Sequence, residues 1–132
     1  MNKQNFQKTN LKNKTFRRIS KGIIYIKSSF NNTILTLTNL KGDVLAWSSA
    51  GSCGFKGARK TTPFVTKQTI NDLVKKSIDK GVKQIQVIIS GVGPGREIAL
   101  RSLQKTNLQM VLIRDMTSIP HNGCRSPRKR RI

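Results

Sequence analysis

Leu and Thr alternate along "TILTLTNL" from Thr33, the period of a strand with two unlike faces. The stretch before it, "GIIYIKSS" from Gly22, is β-branched and aromatic and predicts another strand. Between them lies "FNN", where Asn31 and Asn32 tolerate the positive φ of a tight hairpin turn. "KGD" at Lys41 to Asp43 predicts a second turn and "VLAWSS" a third strand, which completes an antiparallel meander. The pattern breaks at "AGSCGFKGARKTTP", where Thr62 fits a helix N-cap and Pro63 the first helical position. Ile70, Leu73, Val74 and Ile78 then fall on one helical face, Lys75, Lys76 and Lys80 lie off or beside it, and Gly81 fits the residue just past the helix end. "KQIQVIIS" predicts a central strand, because adjacent Ile88 and Ile89 leave neither face polar. "GVGPGRE" turns into a second helix with Ala99, Leu100 and Leu103 on its apolar face, and "LQMVLIRD" is the last strand. Strand–helix–strand–helix–strand implies parallel, right-handed crossovers. The expected fold is α/β, a mixed five-stranded sheet with two main helices packed on it.

That pattern occupies only the middle of the chain. Residues 1–20 read as a basic N-terminal extension with Arg17 and Arg18 among its cations, residues 21–116 as the α/β domain, and residues 117–132 as a basic C-terminal tail. The 132 residues suit one core. Charge changes the picture more: 26 Lys+Arg against 5 Asp+Glu give +21, a self-repulsion that a polyanion relieves. Nucleic acid is therefore the first partner to consider. An anionic membrane is disfavoured, since no apolar run approaches the ~20 residues of a membrane helix and the basic segments lack a Trp/Leu-rich opposite face. Cys53 and Cys124 form no C-x-x-C and no secretory signal is recognisable, so both are expected as free thiols in a reducing compartment.

Several motifs invite chemistry. "GVGPGRE" sits between a strand and a helix, where backbone N–H groups cradle phosphate, but its glycines at 91, 93 and 95 do not make G-x-G-x-x-G and no G-K-[ST] follows. It reads either as a tight strand–helix turn or as an RNA phosphate site using Arg96 and the helix N-terminus. In "GSCGFKGARK", Gly54 and Gly57 are interleaved with Lys56, Arg59 and Lys60, which favours contact with RNA backbone over a merely basic loop. Phe55 there either stacks on a base or packs under the loop. His121 and Cys124 have a spacing that a metal accepts, but structural zinc takes four ligands and only Cys53 remains. Asp43, Asp72, Asp79, Glu97 and Asp115 form no cluster in the expected fold, which argues against a metal-dependent nuclease and against an enzyme generally. The end, "SIPHNGCRSPRKRRI", carries the strongest signal: Arg125, Arg128, Lys129, Arg130 and Arg131 face no acid, Pro120 and Pro127 stiffen the path, and Asn122-Gly123 bends it. This fits an arm that orders on RNA better than a solubilising tail. A histone-like architectural protein is the rival reading, weakened by the scarcity of wedge-like apolar residues in the basic loops.

"SFNNTILTLT", "AGSCGFKGARKTTPF", "SGVGPGREIALR" and "IPHNGCRSPRKRR", in that order, resemble the universal family of small-subunit ribosomal protein eleven, from about Gly22 to the C-terminus. The resemblance implies a ribonuclease-H-like fold without catalytic acids. It further implies a structural role on the platform of the small ribosomal subunit, bound to its rRNA with messenger RNA nearby. Implied neighbours are small-subunit proteins six, eighteen and twenty-one. No cofactor is implied, and any structural magnesium would be held by the rRNA. Carried over by position, the RNA-binding candidates are Asn31, Asn32, the loop Gly54 to Lys60, Gly93 to Arg96 (with Gly95), and His121 to Arg131. Val92 and Ser126 stand where the family usually has proline, and "VTKQ" follows Phe64 where small residues are usual. "SSAGSCGFKG" is most similar to plastid members, and the bias to Lys, Asn and Ile agrees with an organelle gene. Plastid ribosomes are the expected location, with a mitochondrion or an AT-rich bacterium as alternatives.

Overall fold

A computed structural model describes residues 18–132. The chain runs β1 (Lys21–Ser28), β2 (Thr33–Thr38), β3 (Val44–Ser49), a 3-10 turn (Gly57–Thr61), α1 (Pro63–Asp79), β4 (Gln84–Ser90), α2 (Gly95–Gln104) and β5 (Gln109–Asp115). All five strands join one mixed sheet in the order β3-β2-β1-β4-β5. The meander β1–β3 is antiparallel, whereas β4 is parallel to β1 and β5 parallel to β4. The middle strand is thus β1, and β4 is interior beside it.

Both crossovers, β1 to β4 and β4 to β5, step across the sheet in one direction. Right-handed connections then place both helices on one face. There α1 packs over β2 and β3, α2 meets β1, and the helices touch each other. The core is the alternate set facing them: Ile24 and Ile26, Leu35 and Leu37, and Ile85, Val87 and Ile89, against Ile70, Leu73, Ala99 and Leu103, all almost fully buried. The other face carries no helix among the described residues. Paired positions align Trp47, Thr36, Tyr25, Ile88 and Arg114 in one row across all five strands. The chain's one Trp and one Tyr both stand exposed in that row.

Three local expectations need correction. Asn31 and Asn32 do not take positive φ, since Asn122 is the only non-glycine residue there among those described. The β1–β2 turn is instead closed by Ser29, whose backbone N–H donates to the Asn32 carbonyl at 2.9 Å, while the Ser29 Oγ accepts from the Asn32 N–H at 3.1 Å. The wider loop lets side chains do what a left-handed backbone does in a two-residue turn. Thr62 stands at the helix N-cap, but its hydroxyl donates back to the Arg59 carbonyl at 2.9 Å and caps nothing. Ile78 does not continue the buried stripe; it is 52% exposed, and Ser77 takes the inner place with its hydroxyl on the Leu73 carbonyl. At about 100° per residue, position 78 has turned off the stripe that Ile70, Leu73, Val74 and Ser77 share. Gly81 does end α1: its N–H donates to Ile78 and that of Val82 to Ser77, a paired closure that needs its φ of 82°.

Candidate nucleic-acid interface

Strands β1, β3, β4 and β5 all point the same way, since β2 is antiparallel to both β1 and β3. One end of the sheet therefore gathers the β1–β2 turn, the loop after β3, the loop between β4 and α2, and the tail leaving β5. Asn31, Asn32, Gly54 to Lys60, Gly93, Pro94 and His121 to Arg131 belong to these segments, and Gly95 and Arg96 follow directly in the first turn of α2. Arg18 does not. It lies at the opposite end, its Cβ 3.3 Å from where a side chain on Gly81 would begin. Arg17 lies outside the described residues, as does most of the expected N-terminal extension.

Asn31 is exposed in its turn, while Asn32 is spent locally, its Oδ1 accepting from the Thr33 N–H at 2.9 Å. In the loop after β3, Gly54 and Gly57 hold φ of 88° and 64° with open space around them, so backbone shape alone demands glycine. Lys56 and Arg59 are exposed, Lys60 half-buried, and none is ion-paired with an acid among the described residues. Phe55 is half-buried and meets Phe64 edge to face, with ring centroids 6.3 Å apart. Phe55 therefore packs, and the exposed ring at this spot belongs to Phe64, which the sequence reading passed over. Below the loop, Ser48 and Lys76 both bond the Asp72 carboxylate, at 2.8 and 2.7 Å. The Lys76 hydrogen bond, ahead of the opposing effect of burial, leaves that carboxyl below its usual range. Lys76 also reaches the Trp47 carbonyl at 3.2 Å, so it fastens α1 to β3.

The glycine-rich loop before α2 is shaped by contact with the protein itself. A Cβ on Gly91 would lie 2.0 Å from the Ser28 carbonyl oxygen, one on Gly93 2.1 Å from that of Ser29, and one on Gly95 2.3 Å from the Thr33 hydroxyl. Gly93 and Gly95 are buried, and the Gly93 N–H donates to Ser28. These glycines let the loop seat on the β1–β2 turn, the tight-turn side of the two readings. Arg96 is also partly committed: its guanidinium bonds the Gly91 carbonyl at 3.0 Å and pairs with Asp115. The Asp115 carboxyl is held down to about 2, by the Arg96 hydrogen bond first and then by Thr117.

Beyond Thr117 the tail is exposed throughout. Asn122 adopts φ of 74° and Gly123 of 33°, so the expected bend is present. After it, Arg125, Ser126, Arg128, Lys129, Arg130 and Arg131 curl around an open recess of about 450 Å³. Its five cations with no acid among its lining residues suit a phosphate-bearing ligand. Among the described residues no group of His, Cys, Asp and Glu could hold a metal ion, and no helix is long and apolar enough to cross a membrane. Cys53 and Cys124 are free thiols.

Known proteins share this sequence over almost its whole length. The family described as "Ribosomal protein S11" matches residues 22–131. The chain belongs to the ribosomal protein S11 family. Among its relatives, the "Small ribosomal subunit protein uS11c" of Pleurastrum terricola is 60% identical over 119 residues, 90% of this chain and 92% of the relative. The protein of the same name from Mesostigma viride is 53% identical over 119 residues, 90% of this chain and 92% of the relative. That from Marchantia polymorpha is 51% identical over 126 residues, 96% of each. The S11 match begins at Gly22, inside β1, and ends at Arg131, so it takes in all of the sheet but Lys21, both helices and nearly all of the tail.

Proposed function

We propose that the end of the sheet where the four loop segments meet, together with the tail, is the surface that holds small-subunit rRNA. As a member of the S11 family the protein is a structural constituent of the small ribosomal subunit, of the plastid type, and not an enzyme. It works among rRNA and other ribosomal proteins. The observation that carries the surface is the gathering of unpaired cations at this one end: Lys56, Arg59, Lys60 and the five of the tail recess. Such cations position a phosphate backbone, while loops and ends supply specificity. Asn31 and the exposed ring of Phe64 stand beside them, and His121 and Asn122 set the tail's path. The glycines at 54, 57, 93 and 95 serve by shape, and Arg96 by orienting the tail's first residues. Arg18 forms a second, separate contact at the other end of the body, and Arg17 is taken as a further RNA-contacting cation of the N-terminal extension. Residues 21–116 act as the folded unit between two cationic arms, residues 1–20 and 117–132. Proteins six, eighteen and twenty-one of the platform, with the messenger RNA exit path nearby, are the neighbours this reading favours.

A density gradient of native lysate tests the reading, with ribosomes washed at high salt and this protein followed by mass spectrometry. It is expected to remain with the small subunit at fixed stoichiometry. Recovery with bulk DNA or free RNA instead would overturn it.

A further inference from the structure

One part of the body is left bare without serving any of these contacts. Strand β5 is an edge strand, and no described strand pairs with its outer side. It is also the most exposed strand: Val111 is 60%, Leu112 41% and Ile113 48% exposed. Leu112 shares the open face with its partner Gln86, Ile113 the helix face with Val87, and Val111 sits at the register shift between Met110 and Leu112. Apolar side chains thus flank the edge on both faces. Isolated proteins usually blunt such an edge with lysine, proline or a covering element. Here a bulge is present, but Gln109 to Ile113 holds no cation in a chain with 26.

The backbone says what fits. The Met116 N–H donates inward to Ile89 at 2.8 Å. The two-residue alternation of a ladder then turns the N–H of Ile113 outward, with carbonyls beside it. A row of alternating donors and acceptors between aliphatic side chains matches another extended backbone. Between Gln109 and Ile113 it offers nothing to a phosphate, which needs cations, and the strand's one cation, Arg114, stands beyond them on the open face.

We propose that the outer edge of β5 is a docking site for an extended segment of a neighbouring protein, which adds a sixth strand to the sheet and carries apolar residues at alternate positions. The inference rests on the ribosomal reading, because it takes the neighbour from the same subunit.

The test uses the full chain with Val111→p-benzoylphenylalanine, incorporated into small ribosomal subunits, irradiated, and digested separately with ribonuclease and protease. The expected product is a crosslink to one segment of another subunit protein. Amide exchange at Ile113 is expected to slow at least about tenfold on incorporation. Ile113→Pro, which removes the outward N–H, should abolish the crosslink while the subunit still takes up the protein. Val111→Lys should weaken docking without touching the backbone. Urea denaturation of each variant checks that the body still folds. A crosslink to rRNA, to residues 1–17 of the same chain or to a second copy would overturn the proposal. So would no crosslink, or one that Ile113→Pro leaves intact. Failure to enter the subunit with an unaltered edge would instead refute the ribosomal reading, so the two failures are distinct.

Discussion

The guanidinium of Arg96, in the first turn of α2, is ion-paired with the carboxylate of Asp115, the last residue of β5. Thr117 closes the same knot, its N–H and hydroxyl both donating to the second carboxylate oxygen at 3.0 and 2.7 Å. The pair therefore ties the departure point of the tail to the mouth of the glycine loop. Its carboxyl titrates at about 2 rather than near 3.8. A folded-state value below the unfolded one means that the contribution is complete above the unfolded pKa and is lost as pH falls through about 2. NMR titration of the Asp115 carboxyl in the free protein should show this. Arg96→Gln should raise the midpoint toward 3.8.

Truncation before Arg125 should leave the body's unfolding midpoint unchanged, since every residue it removes is exposed. Binding to rRNA should weaken sharply. Each lost phosphate contact flattens the dependence of log K on log salt by about 0.7 to 0.9. Loss of all five cations of the recess should flatten the slope by about 4. Filter binding across a salt series measures it. A body that unfolds on truncation would contradict the two-part organisation.

Gly91→Ala should be severely destabilising, by roughly 4 kcal/mol or more, because a Cβ would meet the Ser28 carbonyl oxygen at a position whose φ is already 93°. Gly54→Ala has only the backbone penalty, about 1 kcal/mol, since nothing lies within 4 Å. Urea denaturation of the two variants should separate them clearly.

On α1, Leu73→Ala should cost about 2–5 kcal/mol, and Ile78→Ala about 0.5 kcal/mol or less. Leu73 is fully buried and Ile78 is 52% exposed. Equal costs would mean that Ile78 is covered in the free protein.

Phe55→Ala should loosen the basic loop and cost about 1 kcal/mol through the lost ring contact. Phe64→Leu should leave the body nearly as stable and weaken rRNA binding more than Phe55→Leu does. Equal effects on binding would show that neither ring touches RNA.

The architecture was legible in the sequence because local pattern and global fold agree. Thr/Leu alternation in β2, the paired isoleucines of β4 and the Gly81 stop each have one structural solution. Where the reading failed, the deciding partner was distant or of an unexpected kind. Nothing around Gly91, Gly93 and Gly95 announces that the Ser28 and Ser29 carbonyls and the Thr33 hydroxyl will press on them, so the sequence left a tight turn and a phosphate site both open. Arg96 looked free because Asp115 is 19 residues away. Asn32 looked like a positive-φ residue because Ser29, which closes the turn, lies outside the two-residue hairpin pattern. The tail's bend could be read because Asn-Gly dictates it locally. The bare edge of β5 could not, because strand order is not a property of any one segment.

Strand β1 joins two pairing modes, antiparallel to β2 and parallel to β4. The first needs only a short turn, the second the completion of β2, β3 and α1. Hairpins close in microseconds and distant pairings more slowly, so the molecule has a fast half and a slow half. During synthesis from the N-terminus, the meander is finished while β4 is still unmade. In that interval Ile24 and Ile26 lack the cover that Ile85, Val87 and Ile89 later supply, and the edge of β1 is open. The nascent chain is then at its stickiest, and a chaperone that recognises exposed strands has its window there.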